Sequence, residues 1–302
     1  MAEPLFPSKI KPGDKIRFVS PASTPDRDLI LRRAERLRDM GFDVDFGTYA
    51  FAEYGFYAGT HEHRLSDLNL ALSDPQVRAI FATRGGRGSY RIAGDLDFDA
   101  VRRDPKPILG FSDITAIHMM LMRRCGLIGL HGALYGDDGG PGPSNTDILM
   151  RFLMEAGTIV FTARDDEVSA KTTTSGRAQG RLMGGNLETL ATMIGWGLPS
   201  FDGAILLIEA VDCMPGLTDR MLTLLMKSGA LDGIAGIAAG QFTLANREKG
   251  EAIIAIVDEH IRALGIPVLG GLPFGHGKGA LTTPIGGMAV LDADARTLTV
   301  DY

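Results

Sequence analysis

The chain holds only two cysteines in 302 residues, Cys125 and Cys213, and a single tryptophan. Two cysteines that match no metal-ligand spacing exclude a disulfide framework, and each sits among apolar neighbours, as buried structural thiols do. Excess positive charge is missing too. Against 37 Asp and Glu there are 31 Lys and Arg, a formal charge of -6 with a pI near 5.5. A chain with no basic field has little to offer a polyanion, so neither nucleic acid nor an anionic membrane is expected as a partner. No apolar run approaches the roughly 20 residues that a membrane-spanning helix needs. The opening MAEPLFPSKIKPGDKIRFVSPAS has no basic stretch followed by an apolar one. This predicts a protein without a secretion signal that works in the cytoplasm.

What is present is ordinary for a globular protein, with 45% hydrophobic and 23% charged residues, and this excludes disorder and collagen. The length exceeds the size at which one core usually keeps growing, so two domains are predicted. The first half alternates strand patterns at 15–20, 42–46, 77–83, 107–111 and 127–130 with helix patterns at 25–40, 63–72 and 114–124. That alternation reads as an open parallel sheet covered by helices. After one more helix pattern at 146–157, the polar stretch ARDDEVSAKTTTSGR sets a linker at 161–178, between domains at 1–160 and 179–302. The second domain carries strand patterns at 203–211, 234–241, 268–271 and 288–292 and helix patterns at 187–194, 219–229 and 249–264. It reads as mixed α/β.

Four polar positions interrupt this apolar framework. In PILGFSDITAIHMM, Ser112 stands where a buried-strand pattern runs straight into a helix pattern. Backbone N–H groups and the helix dipole favour a developing negative charge there. A plain helix cap by Ser112 or Asp113 is the alternative. The run from Gly110 to Ile114 lacks the last glycine of G-x-S-x-G, so it is not the α/β-hydrolase elbow. The strand FATRGGRG empties into glycines at Gly85, Gly86 and Gly88, which form either a tight turn or an anion cradle. Arg91 stands where a dinucleotide fingerprint needs glycine, and no Walker lysine follows.

Glu209 ends the apolar run GAILLIEAVD. A buried carboxylate must be paired or reach a polar cleft, and an ion pair with Arg220 is one way to achieve that. Of six histidines, His276, in the loop GGLPFGHGKG, is the best placed for catalysis. His260, beside Glu259, reads as a solvated surface residue. His61 and His63 lack the further ligands of a recognised metal site and read as the start of a capped helix.

Taken together, TRGGRGSYRI at 83–92, PKPILGFSDITAIH at 105–118, GGNLETL at 184–190, LLIEAVD followed by DRMLTLL, and GLPFGHGKGALTTPIGG at 271–287 resemble peptidase family S66, the LD-carboxypeptidases. The resemblance spans nearly the whole chain. It implies an α/β fold, with an N-terminal Rossmann- or flavodoxin-like parallel-sheet domain, a C-terminal mixed α/β domain containing a small β-barrel, and the site between them. Carried over motif by motif, it implies Ser112 as nucleophile, Glu209 as acid and His276 as base. It also implies an oxyanion hole from the backbone N–H groups of Asp113 and of one glycine in the RGG turn, taken as Gly86 with Gly85 as the alternative. No metal and no cofactor are implied. The implied substrate is a murein tetrapeptide or another small peptide, with D-alanine released in cytoplasmic cell-wall recycling. Arg84 and Arg87, beside the glycine turn, are candidates for gripping the free carboxylate.

Two other readings compete. One is a branch resembling the microcin C immunity hydrolases, which cleave an amide between an acyl group and a nucleotide-like moiety. The other is a catalytically silent module that binds muropeptides. The chain departs from the recycling branch at Arg87, at Phe111 and in CMPGLT at 213–218, and it is compatible with a homodimer.

Overall fold

The structure is a computed structural model that describes residues 3–134, 144–212, 214–243 and 247–302. Cys213 lies outside the described residues, whereas Cys125 is buried as expected. The first part runs β1 (Lys15–Val19), α1 (Arg27–Asp39), β2 (Asp43–Phe46), α2 (His61–Ser73), β3 (Val77–Ala82), α3 (Ser89–Ile92), α4 (Phe98–Arg103), β4 (Ile108–Gly110), α5 (Thr115–Cys125), β5 (Gly129–His131) and α6 (Asn145–Met154). The second runs β6 (Thr158–Thr162), β7 (Arg177–Asn186), α7 (Leu187–Thr192), β8 (Ile205–Val211), α8 (Pro215–Lys227), β9 (Gly236–Thr243), α9 (Arg247–Arg262), β10 (Val268–Leu269), β11 (Thr283–Ile285), β12 (Met288–Asp292) and β13 (Thr297–Asp301).

Local chemistry sets several boundaries. The Asp26 side chain accepts from the Leu29 N–H to start α1. Thr60 accepts from the His63 N–H, so His61 and His63 open a capped helix. Ser144 and Asp147 form a reciprocal capping box on α6. Gly126, in the left-handed region, ends α5.

The first sheet has the order β11-β5-β4-β3-β1-β2. Strands β1 to β5 are parallel, as the alternating pattern predicts, but the edge strand β11 pairs antiparallel with β5. The sheet is therefore mixed, and it borrows its last strand from far along the chain. The second sheet has the order β10-β9-β8-β7-β12-β13-β6. Its β7 to β10 part is parallel, and its β7-β12-β13-β6 part is antiparallel.

The expected small β-barrel is not closed. Strands β6 and β10 are the two outer edges of this sheet among the described residues, and closure requires the edges to pair with each other. Strand β8 is almost wholly buried, so a polar side chain near its C-terminal end must find a partner or a cleft.

Candidate active site

Strand β4 ends at Gly110, and the chain turns sharply at Ser112, whose φ is +62°. A 3-10 turn at Ser112–Ile114 leads directly into α5, with no side-chain cap at either helix start. Neither Ser112 nor Asp113 is therefore the helix cap that the plainer sequence reading allows. A left-handed serine is strained by about 1–2 kcal/mol and persists only where its surroundings enforce it. Gly85 supplies part of that enforcement. A Cβ at Gly85 would stand 2.6 Å from the Ser112 Cβ and 2.9 Å from the Phe111 carbonyl, so only glycine lets the turn after β3 press against the serine.

That turn is fixed from several sides. The Ser23 hydroxyl accepts from the Arg87 N–H at 3.0 Å, and the Ser23 N–H donates to the Gly85 carbonyl at 3.3 Å. The buried Arg64 guanidinium donates to the Pro21 and Gly88 carbonyls at 3.0 and 2.8 Å. The Asp113 carboxylate accepts from the Ser89 N–H at 2.7 Å, and the Ser89 hydroxyl donates to the Asp113 carbonyl. Burial pushes the Asp113 carboxyl up to about 6, against the opposing pull of these hydrogen bonds and of Arg87 and Arg64.

Glu209 is fully buried. Its Oε1 accepts from Asn186 Nδ2 at 3.2 Å, and its Oε2 lies 2.7 Å from His276 Nδ1. Arg220, the ion-pair partner considered from sequence, sits on an exposed position of α8. The His276 loop reaches Glu209 because Gly275, at φ +137°, brings the backbone close: a Cβ there would lie 3.0 Å from Glu209 Oε2. Gln241 on β9 clamps the loop on the other side. It accepts from the Gly277 N–H at 2.8 Å and donates to the Lys278 carbonyl at 3.1 Å and to Glu167 at 2.6 Å.

The Phe111 ring, next to Ser112, packs on the His276 ring with centroids 4.6 Å apart. Ser112, Asp113, His276, Arg84, Gly85, Gly86 and Arg87 all line one cavity of about 660 Å³, and Glu188, Asp212 and Met214 line it as well. Glu209 lies buried behind His276. With Nδ1 committed to Glu209, the His276 nitrogen left for proton transfer is Nε2, which suits a serine nucleophile.

Both candidate carboxylate-gripping arginines are exposed and already engaged. Arg84 donates to the Thr24 carbonyl at 3.2 Å, and Arg87 pairs with Glu188 at 3.0 Å. His260 is not free in solvent, since its Nε2 lies 2.8 Å from Asp219 across α8 and α9. Among the described residues, no group of three or more His, Cys, Asp or Glu is placed to hold a metal ion, and no helix is long and apolar enough to cross a membrane.

Sequence reasoning passed over Asn186, Gln241, Glu188 and Ser23. Asn186 carried a usable signal, because Asn before the helix pattern LETL is an N-cap pattern and its Oδ1 does accept from the Thr189 N–H.

Residues 16–132 match the LD-carboxypeptidase N-terminal domain, and residues 179–291 match the LD-carboxypeptidase C-terminal domain. The probable murein peptide carboxypeptidase of Bacillus subtilis is 31% identical over 98% of this chain and 94% of its own length. The chain belongs to the LD-carboxypeptidase family, peptidase S66. The murein tetrapeptide carboxypeptidase of Pseudomonas aeruginosa is 30% identical over 93% of this chain and 94% of that protein. The microcin C7 self-immunity protein MccF, known from Escherichia coli and solved in complex with aspartyl sulfamoyl adenosine, is also similar. It superposes with a TM-score of 0.84 at 25% identity, covering 99% of both chains. The carboxypeptidase family makes this chain a hydrolase.

Proposed function

We propose that this protein is a serine-type LD-carboxypeptidase that removes the terminal D-alanine from free murein tetrapeptide in the cytoplasm, as a step of cell-wall recycling. The observation that carries the reading is the pairing of buried Glu209 with His276 at 2.7 Å, His276 sharing a cavity with a strained serine at the head of a helix. In the proposed division of labour, residues 1–160 carry the nucleophile and residues 179–302 carry the acid and the base.

His276 Nε2 takes the proton of the Ser112 hydroxyl as its oxygen attacks the carbonyl carbon of the last peptide bond. The backbone N–H of Asp113, with that of Gly86 or Gly85, receives the negative charge on the carbonyl oxygen. The tetrahedral intermediate collapses, His276 returns the proton to the leaving D-alanine nitrogen, and water then releases the acyl group from Ser112 by the same steps in reverse order. Glu209 holds the ring in its tautomer and supports the imidazolium. Arg84 and Arg87 stand at the cavity where a free carboxylate would lie. Such a carboxylate would compete with Glu188 for Arg87.

The likeness to MccF supports a second reading, an amide hydrolase for acyl–nucleotide conjugates using the same side chains. One assay separates the two. The protein is incubated with murein tripeptide, tetrapeptide and pentapeptide, and with a tetrapeptide ending in L-alanine, and the products are weighed by mass spectrometry. Release of D-alanine from the tetrapeptide, with the L-terminal analogue left nearly intact, is the expected result. Inverting the last residue swings its carboxylate away from any site that also presents the carbonyl to Ser112. No D-alanine release, under conditions where a fluorophosphonate still labels Ser112, would favour the acyl–nucleotide hydrolase.

A further inference from the structure

His131 ends β5, directly beside Gly110 of β4 in register. It is buried, and neither ring nitrogen has a hydrogen-bond partner among the described residues. A buried imidazole with both nitrogens unpaired costs stability, so its place in the fold calls for a reason. Its ring stands edge-on to Phe111 with centroids 6.2 Å apart, and a Cβ at Gly185 would lie 3.0 Å from its Cε1. Most telling, His131 Nε2 lies 3.9 Å from Glu209 Oε1. That oxygen already accepts from Asn186, while Oε2 serves His276.

We infer that His131 is a positioning residue for the Glu209–His276 pair, a neutral imidazole whose Nε2–H faces Glu209 Oε1 and acts with Asn186 to set the orientation and charge of that carboxylate. The inference rests on the reading of Ser112, Glu209 and His276 given above.

At 3.9 Å the contact is not yet a hydrogen bond, and a shift of about 1 Å would make it one. Hydrogen bonds in such sites often tighten only when substrate is bound. The titratable side chains whose charge reaches the His131 ring are Glu209 on β8, His118 on α5 and His276 in the glycine-rich loop. Burial holds the ring neutral, pushing it down to about 4 despite the nearby carboxylate. Neutrality matters here. A charged ring would cancel the carboxylate that His276 needs when it becomes an imidazolium, whereas a neutral N–H leaves the carboxylate ionised while drawing part of its charge toward Oε1.

A donor on Oε1 weakens the pull of Glu209 on the His276 proton and so lowers the pH at which His276 becomes a free base. Removing the donor strengthens that pull, and the acid limb of kcat/KM moves to higher pH.

The test compares His131→Leu, which has no donor, with His131→Gln, which keeps an N–H at similar reach, using D-alanine release from murein tetrapeptide. His131→Leu is expected to shift the acid limb upward by about 0.5 pH unit or more. Its kcat should fall severalfold while KM stays within about twofold. His131→Gln is expected to keep the wild-type limb. If neither limb moves, or both move together, the inference is wrong. Should His131→Leu not fold, 15N-histidine NMR of the wild-type protein decides. Between about pH 5 and 8 His131 should stay neutral with its proton on Nε2, and an Nδ1–H tautomer or a charged ring overturns the inference. Failure of the parent reading looks different: Ser112→Ala would keep its turnover, whatever the His131 variants do.

Discussion

Ser112 bears strain that a nucleophile repays in function but a fold does not need, and this separates its two roles by experiment. Ser112→Ala keeps the Cβ at φ +62°, so its unfolding midpoint should stay within a few degrees of wild type, while turnover drops by more than about a hundredfold. Ser112→Gly should be equally inactive yet more stable by up to about 1 kcal/mol, because glycine adopts positive φ without a steric penalty. An alanine variant that keeps more than about a hundredth of the activity would show that Ser112 is not the nucleophile. A ranking applies to its partners. In the proposed mechanism His276 moves the proton and Glu209 only orients and supports it, so Glu209→Gln should retain more turnover than His276→Ala. An unimpaired Glu209→Gln would point to a different acid, with Asp212 in the cavity lining as the candidate. The residues of this constellation were legible in the sequence because each polar side chain interrupts or follows an apolar run. His131 and Gln241 were not, and of Asn186 only the helix-capping role was, not its contact with Glu209. They lie within or at the ends of short or glycine-bearing strands, and what they do depends on which strand lies next to them.

At the scale of the element, the loop bearing His276 depends on β9 for its position. Gln241 meets the Gly277 N–H, the Lys278 carbonyl and Glu167 at once. Gln241→Leu strands these groups, at about 1–3 kcal/mol for a buried group left unpaired. Expected are a kcat reduced by about tenfold or more, with KM little changed, and a smaller loss in Gln241→Glu, which can still accept from Gly277. An unchanged kcat in Gln241→Leu would mean that the loop is held by its glycines alone. The same scale explains which elements could be read from sequence. Strand β8 is an apolar run broken only by Glu209, and β1, β3 and β9 keep enough apolar residues within five to eight positions to declare themselves. Strand β7, RAQGRLMGGN, hides behind its glycines, yet those are what let it pack: a Cβ at Gly180 would stand 2.1 Å from the Gly203 carbonyl. Strand β11 is three residues with a proline at its centre, a pattern that reads as a loop until β5 is beside it. Strand β6 exposes every other residue on the outer edge of its sheet and merges into the polar stretch that follows.

At the scale of the whole molecule, the two sheets are tied together by strands that do not follow sequence order. Residues 283–285 supply the edge of the first sheet, and residues 158–162 supply the edge of the second. Side-chain contacts run through the same seam. The Asn186 N–H donates to the Thr115 hydroxyl at 3.0 Å, the Thr282 N–H donates to Asn145 at 2.6 Å, Arg87 pairs with Glu188, and Arg123 donates to the Trp196 carbonyl. Ser112 and Asp113 stand on one side of this seam and Glu209 and His276 on the other, so the candidate site exists only while the two sheets are docked. Opening one sheet would strip β5 of its partner β11 and leave its buried backbone groups unpaired, a cost that couples the two cores. The protein should therefore unfold in a single transition. Trp196, the only tryptophan, sits at the seam, and its fluorescence should lose its native signal at the same urea concentration as the far-UV circular dichroism and the loss of fluorophosphonate labelling at Ser112. Two separated transitions, or a fluorescence change well before the loss of helix signal, would show that the sheets unfold independently and that their shared strands are edge decorations that do not couple them.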